Sequence, residues 1–384
     1  MPRIRSVLVV FVLAAASLLG AGPPAAAAPA PYGPAIPLVS CSREGPADAA
    51  IASDGTVRGF ANCESNGSEA ISYVRYRGQA VFAEQAPYRG RVIKVAWDDL
   101  NNTYLLFARS GPDATTEQLF IGKRLDNTGQ YAQPTLLTTA ALGGLTPRPI
   151  QAALVAYRST WWAVWTEPTA AVSGTLTYSL FQRHTLLGVQ PRTRITYPVT
   201  GADDSVPSLA YSPRSTIPIL GLLTVVWLRS PSLGAPRAQL RLGQEFGHGW
   251  NMNPLPATEP TAWTGNVDHI SYLGTRYLTW RGTHSVAVAS MVNGFLVPHF
   301  FPTGGDTIGS SVAVSGQNLF LLWWMSPGNG VAGPQVVLAE RQGGTWYPSA
   351  TVIHADAGVR VLAQGGKGRL VYWSFGTLML RIQG

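Results

Sequence analysis

Charged residues are scarce in this sequence, and lysine is the scarcest of them. Asp, Glu, Lys and Arg make up 12% of the 384 residues, about half the share usual in globular proteins. The only lysines are Lys94, Lys123 and Lys367. Because the chain is 46% hydrophobic, a disordered protein is excluded. The net charge of +8 comes mainly from arginines scattered along the chain. A nucleic-acid binder clusters its basic residues, so no nucleic-acid partner is expected.

Motifs for metal, phosphate and nucleophile chemistry are missing as well. The six histidines never occur at the H-x-x-x-H or H-E-x-x-H spacing of a zinc site. The glycine-rich run at residues 365–368 lacks the spacing and the Ser/Thr of a P-loop, so a hairpin turn explains it better. No Gly-x-Ser-x-Gly elbow with suitable partners is present. The sequence therefore predicts neither a bound metal nor a cofactor.

Long hydrophobic runs are confined to the start of the chain. Arg3 and Arg5 precede an apolar run at residues 7–19, and small residues and prolines follow it. This layout is typical of a secretory signal peptide, which we assign to residues 1–28. The apolar run is short for a bilayer span of about 20 residues, although an uncleaved anchor is the alternative. We expect a secreted, extracellular monomer with no membrane span after the leader is removed.

Cysteine is limited to Cys41 and Cys63, which are 22 positions apart. An even number of cysteines in an exported chain favours a disulfide, which we place in an N-terminal segment of residues 29–70. Two free thiols are the alternative. Two cysteines without neighbouring histidines make a poor metal site.

What the sequence has instead is a repeat. An apolar strand ending in an aromatic residue returns six times, at Phe107, Trp165, Trp227, Trp280, Trp324 and Trp373. A period of about 45 to 60 residues is typical of β-propeller blades. A glycine turn followed by proline comes after each of the first five units and indicates the outer hairpin of a blade.

The sixth unit lacks this outer hairpin, and residues 71–78 resemble one with no blade before it. The simplest account is that an N-terminal strand completes the last blade and so closes the ring. The sequence therefore predicts an all-β propeller over residues 71–384, with six blades of four antiparallel strands. Seven blades are the alternative if residues 45–88 form a complete blade.

The repeated strand–Trp, hairpin and Gly-x-Trp pattern resembles the sialidase-like and related secreted bacterial β-propellers, from Ile71 to Gly384. Sialidases carry the turn motif Ser-x-Asp-x-Gly-x-x-Trp. The nearest matches here are residues 126–131, with one residue too many between Asp and Gly, and residues 343–346, without the Asp. The resemblance implies the fold. Because the turn motif is incomplete at both positions, it does not imply sialidase activity.

Carboxylates recur in the loops that join one predicted blade to the next. The candidate binding residues are Asp204, Asp268, Asp306 and Asp356. Such loops share one face of a propeller, where converging carboxylates could bind sugar hydroxyls or cleave a glycosidic bond. Alternatively, each Asp caps its own turn. We therefore expect a non-catalytic propeller that binds a glycan, a cell-wall component or a protein through this face. A glycoside hydrolase or lyase of the sialidase-like type is the alternative.

Overall fold

The computed structural model describes most of the chain from residue 29 onward. The described residues are 29–65, 68–142, 148–172, 175–185, 188–196, 203–212, 222–230, 237–246, 249–254, 261–262, 267–273, 275–282, 285–292, 295–303, 307–326, 335–353 and 356–384. The predicted signal peptide and Asp306 lie outside them. No helix in the described part of the chain has the length and apolar character needed to cross a membrane.

The described residues form seven antiparallel sheets, each of which is one propeller blade. The strands are numbered in chain order, and the blades are numbered by their innermost strands. These are β2 (Glu44–Ile51), β6 (Arg91–Trp97), β11 (Ala152–Tyr157), β15 (Asp203–Ser212), β20 (Val267–Tyr272), β24 (Thr307–Ser315) and β28 (Ala357–Gln364). Each innermost strand contacts the next one round the ring, and β28 contacts β2.

The remaining strands complete the blades outward. The second strands are β3 (Val57–Ser65), β7 (Asn102–Ser110), β12 (Thr160–Val172), β16 (Leu222–Ser230), β21 (Thr275–Arg281), β25 (Asn318–Met325) and β29 (Lys367–Ser374). The third strands are β4 (Ser68–Arg77), β8 (Thr116–Leu125), β13 (Thr175–His184), β17 (Arg237–Phe246), β22 (Ser285–Val292), β26 (Gln335–Gln342) and β30 (Thr377–Ile382). The outer strands are β5 (Ala80–Gln85), β10 (Thr135–Ala141), β14 (Thr193–Arg194), β18 (Gly249–Pro254), β23 (Phe295–Pro302), β27 (Thr345–Ile353) and β1 (Ile36–Ser40). Two short strands, β9 (Gln130–Tyr131) and β19 (Thr261–Ala262), pair with β8 and β17.

The ring is closed by β1, which pairs antiparallel with β30 in blade 7. The expectation that an N-terminal strand completes the last blade is met by residues 36–40 and not by the hairpin at residues 71–78. That hairpin belongs to β4 and β5, the outer strands of blade 1. Residues 36–65 thus contribute to two blades.

The prediction of six blades is wrong, because residues 44–85 form a complete four-stranded blade of their own. Blade 1 escaped the repeat pattern because its second strand, β3, carries no aromatic residue near its end. Asn62 and Cys63 stand there instead. Seven blades, the alternative, is the observed number.

The hydrophobic core is divided between the blades. The described buried apolar side chains form seven clusters, one at each junction between neighbouring blades. Trp165 lies at the junction of blades 2 and 3, and Trp227 at that of blades 3 and 4. Both side chains are among the largest that are fully buried. Packing between blades therefore accounts for the recurrent aromatic residue.

Candidate functional site

The innermost strands begin at one end of the propeller axis, and most of them are distorted there. In five of the seven, the pairing with the second strand shifts by one residue near the start of the strand. A β-bulge of this kind bends the strand and redirects its side chains. These starts surround a cavity of about 380 Å³, which we call the axial mouth.

All seven blades contribute to the wall of the axial mouth. The lining residues are 45–48, 91–94, 150–152, 206–208, 267, 324, 357–359 and 373. A cavity of a few hundred cubic ångströms that is partly apolar and carries several polar groups is typical of small-ligand sites. The mouth therefore lies on the axis of the propeller and has the dimensions of a small-ligand site.

Four charged side chains from different blades meet at the axis, and we call them the axial charge network. Arg360 Nη1 lies 3.0 Å from Asp48 Oδ1, and Arg360 Nη2 lies 3.9 Å from Asp268 Oδ1. Lys94 Nζ lies 3.9 Å from the same Asp268 oxygen. Two acids and two bases give the network no net charge.

Opposite charges within the network keep Asp268 and Arg360 ionised. Burial by itself would raise the pKa of Asp268, but Arg360 and Lys94 outweigh it and the pKa lies below its usual value. Burial would lower the pKa of Arg360, whereas Asp48 and Asp268 raise it above its usual value. Asp268 is consequently a fixed anion and not a proton donor at neutral pH.

The same side chains bind the backbone of the following blade. The amide of Val95 donates to Asp48 Oδ2 at 2.6 Å, and the amide of Val312 donates to Asp268 Oδ2 at 3.1 Å. Ser311 donates to Asp268 as well, at 3.0 Å. The network therefore links innermost strands, and two of its members, Asp48 and Lys94, also line the mouth.

The rim of the mouth is held by hydrogen bonds around Gln151. Its Oε1 atom accepts from Arg148 Nη2 at 3.1 Å and from the amide of Val206 at 2.8 Å. Val206 has a φ of 48°, which is strained for a β-branched residue. Strain of this type is maintained only where neighbouring groups fix the backbone, and it concentrates at functional sites.

Of the two tryptophans that line the mouth, Trp324 is held in place by close contacts with glycine. Trp324 is half-buried, and its indole packs against the backbones of Gly309 and Gly358. A Cβ atom on either glycine would lie 2.2 Å or 2.5 Å from the ring, respectively, so only glycine permits this approach. The indole is thereby held at the edge of the cavity, where aromatic faces bind apolar sugar surfaces.

The three candidate carboxylates that the structure describes lie in separate hydrogen-bond networks. Asp268 belongs to the axial charge network, whereas Asp204 is buried in hydrogen bonds with Thr196, Trp227 and Arg229. Asp356 accepts from the amide of Phe375, which caps the turn between β29 and β30. Asp204, Asp268 and Asp356 share no hydrogen-bond partner in the described part of the chain. Asp204 therefore forms a local ion pair, and Asp356 caps a local turn.

A pair of carboxyl groups lies next to the mouth, where β2 and β28 begin. The Glu44 side chain is hydrogen-bonded to that of Asp356, and Glu44 also accepts from the amide of Gly376 at 2.8 Å. Burial, followed by the hydrogen bond and the charge of Asp356, raises the pKa of Glu44 above its usual value. The sequence analysis did not single out Glu44.

Replacing Glu44 with glutamine is expected to stabilise the protein at neutral pH. A raised pKa means that the folded state holds the proton more strongly than the unfolded chain. This contribution to stability is complete below pH 4.5 and is lost as the pH rises through the folded-state pKa. Glu44→Gln keeps a hydrogen bond without a second charge, so its urea midpoint should exceed that of the wild type at pH 7 and converge with it in acid.

Asp356→Asn is the reciprocal variant, because it removes the other carboxylate of the pair. It should show the same dependence on pH. Unchanged urea midpoints at pH 7 in both variants would show that the two carboxyl groups do not interact.

Three members of the axial charge network were missed by sequence reasoning. Asp48, Lys94 and Arg360 are charged residues in the middle of largely apolar strands. That signal could have identified them, since a charge within an apolar strand is rarely buried without a partner. No group of three or more His, Cys, Asp or Glu residues in the described part of the chain is placed to hold a metal ion.

The fold is similar to several solved structures, at low sequence identity. The polysaccharide lyase Uly1 has a TM-score of 0.55 and 10% identity, over 95% of this chain and 94% of that one. The α-L-arabinanase of Penicillium chrysogenum, solved with arabinobiose, has a TM-score of 0.51 and 9% identity, over 76% and 93%. The β-propeller domain of the Trilobed protease from Pyrococcus furiosus has a TM-score of 0.51 and 8% identity, over 89% and 96%.

No protein-family model matches the chain, and no curated protein matches it either. At these identities the structural similarity establishes the β-propeller fold, which glycan-processing proteins and others share.

Proposed function

We propose that this protein binds a glycan, without cleaving it, in the axial mouth. The observation that carries the proposal is a cavity lined by all seven blades, in which the charged lining residues Asp48, Arg91 and Lys94 each lie within ion-pair distance of an opposite charge. Within the broader expectation of a glycan, cell-wall or protein ligand, these features favour an uncharged sugar. A polyanion would have to break ion pairs in order to bind.

The wall of the mouth provides both kinds of contact that a sugar needs. Trp324 offers an aromatic surface for the C–H face of a pyranose or furanose ring. Lys94 and Gln151 offer polar atoms for hydroxyl groups. The volume of about 380 Å³ suits one or two sugar units. The similar arabinanase was solved with the disaccharide arabinobiose, which supports a ligand of this size.

Lys94→Gln is expected to weaken glycan binding about 10-fold, because a charged donor to a hydroxyl is lost. The side chain of Lys94 is 24% exposed, and its amino group lies 3.9 Å from its nearest carboxylate, so it can reach a ligand. The measurement is calorimetric titration with neutral oligosaccharides identified on a glycan and cell-wall panel.

Lys367→Gln is the matched control, since Lys367 lies at the β28–β29 turn, at the opposite end of the strands from the mouth. It should bind as the wild type does. Equal affinities of both variants, with unchanged melting temperatures, would place the glycan elsewhere. Sugars with and without a carboxylate should be titrated in parallel, and a preference of the mouth for the acidic sugar would contradict a neutral ligand.

A glycoside hydrolase or lyase of the sialidase-like type, using carboxylates of the axial face, is the alternative. It is favoured by the hydrogen-bonded pair of Glu44 and Asp356 beside the mouth. The raised pKa of Glu44 suits a general acid. Release of sugar from a bound oligosaccharide, lost in Glu44→Gln without loss of binding, would establish this activity. Binding without release at any pH between 4 and 8 would reject it.

We further propose that the protein is exported and acts outside the cell as a monomer. The leader-like residues 1–28 support export, and the Cys41–Cys63 disulfide fits an oxidising compartment. N-terminal sequencing of protein recovered from the culture medium tests the processing, and light scattering tests the monomer. Recovery in the cytoplasm with the leader intact would contradict the proposal.

A further inference from the structure

A second cavity lies between blades 5 and 6, away from the axis. Its volume is about 640 Å³, and it runs between the outer strands of blade 5 and the hairpin that joins β26 to β27. We call it the rim groove. Ser290, His299, Phe301, Arg341 and Trp346 are among its lining residues. The β26–β27 turn is at the opposite end of the strands from the axial mouth, so the two sites are separate.

The floor of the rim groove is aromatic. His299 stacks on Trp346 with ring centroids 5.6 Å apart and an interplanar angle of 21°. Phe301 meets Trp346 edge-on at 5.0 Å and in turn contacts Trp323 at 5.4 Å. These rings continue into the hydrophobic cluster between blades 5 and 6, which fixes their positions. Since His299 is exposed, its outer face is available to a ligand.

A cation lies at the edge of this aromatic floor. Arg341 Nε donates to the carbonyl oxygen of Gly344 at 3.3 Å, a bond that does not use the two terminal nitrogens. Among the residues that the structure describes, no carboxylate lies within ion-pair distance of Arg341. The described arginines near the axial mouth differ, because Arg91 and Arg148 each pair with an acid there. An unpaired guanidinium is suited to bidentate binding of a carboxylate.

We propose that the rim groove binds an acidic sugar unit, a pyranose that carries a carboxylate. The ring stacks on His299 and Trp346, and the carboxylate pairs with Arg341. Ser290 lies within the same groove and can hydrogen-bond a ring hydroxyl. The volume of the groove accommodates one to three sugar units. This site is independent of the axial mouth and takes a ligand of different charge.

The test is titration with trimers of galacturonate and of glucuronate, and with their neutral methyl esters. We expect at least one acid trimer to bind about 10-fold more tightly than its ester, since the ion pair is lost in the ester. Arg341→Gln should reduce affinity for the acid to that for the ester. The matched control is Arg75→Gln, in the third strand of blade 1. Arg75 also lies against an aromatic ring, 5.3 Å from the centroid of Phe82.

Trp346→Phe serves as a second variant, because it keeps an aromatic ring in the interblade cluster while reducing the stacking area. It should weaken binding of acid and ester alike. Lys94→Gln should leave uronate binding unchanged, which separates this site from the axial mouth. The proposal is overturned if neither acid trimer binds, or if Arg341→Gln retains the preference for the acid. It is also overturned if Lys94→Gln abolishes that preference.

Discussion

Loss of the Cys41–Cys63 disulfide is expected to lower the free energy of unfolding by about 3 kcal/mol. The cysteines are 22 positions apart, and a closed loop of that size removes this much conformational freedom from the unfolded chain on the chain-entropy account. Cys41 follows β1 in blade 7, whereas Cys63 lies in β3 of blade 1. The bond therefore joins the first blade to the strand that closes the last.

The measurement is urea unfolding of the wild type and of a Cys41→Ser/Cys63→Ser double variant, each with and without reductant. The wild type in reductant should unfold with the midpoint of the double variant, and the variant should not respond to reductant. If the oxidised wild type and the variant have the same midpoint, the disulfide does not secure the ring.

Asp204→Ala is expected to destabilise the protein by about 3 to 5 kcal/mol. The Asp204 side chain is 2% exposed and accepts from Arg229 Nε at 2.7 Å and Arg229 Nη2 at 2.8 Å. The indole nitrogen of Trp227 also donates to it, at 2.9 Å. Removing the carboxylate leaves a guanidinium and an indole N–H without their acceptor in a largely buried place.

Asp99→Ala is the control for Asp204→Ala. Asp99 pairs with Arg158 at 3.5 Å, with side chains 40% and 50% exposed, so its loss should cost less than about 1 kcal/mol. Thermal and urea unfolding measure both effects. Equal destabilisation by the two substitutions would contradict a structural role for Asp204. If Asp204→Ala loses function at a temperature at which it has unfolded, that loss is not a sign of catalysis.

Most blades could be recognised from the sequence because one packing position repeats. The six strand-end aromatic residues all lie on second strands, from β7 to β29. In blade 1 the corresponding position is held by Asn62. The two positions are equivalent because Asn62 lies opposite a bulge in β2, and Trp227 lies opposite a bulge in β15. Asn62 accepts from the amide of Val92 in the next blade at 2.6 Å. A hydrogen bond replaces aromatic packing at this position, so the sequence of blade 1 lacks the strand-end aromatic residue that marks the other blades.

The outer hairpins were also predictable, because their turns need positive φ. Gly129, Gly188 and Gly344 have φ values of 73°, 95° and 92° and lie between third and outer strands. The hairpin at Gly78 was recognised as well but was assigned to the wrong place in the ring. The local sequence therefore predicts the type of turn. Assigning the turn to a particular blade also requires the correct number of blades.

The axial charge network could not be assembled from the sequence. Asp48 and Arg360 bond to each other although 312 positions separate them, and only the closed ring brings them together. Asp268 was selected from the sequence as a candidate binding residue, but its partners in the network depend on bulges that shift the register of the innermost strands. Such shifts leave no clear signal in residue type. The pairing of Asp204 with Arg229 is hidden for the same reason.

The closing pair of strands has a consequence for biosynthesis. Residues 36–40 are synthesised long before their partner strand, residues 377–382. Until then β1 remains an unpaired strand that can associate with other chains. The final step of folding must also join segments that are more than 300 positions apart, which is slow. Chaperone dependence and aggregation during overproduction should therefore originate at this seam.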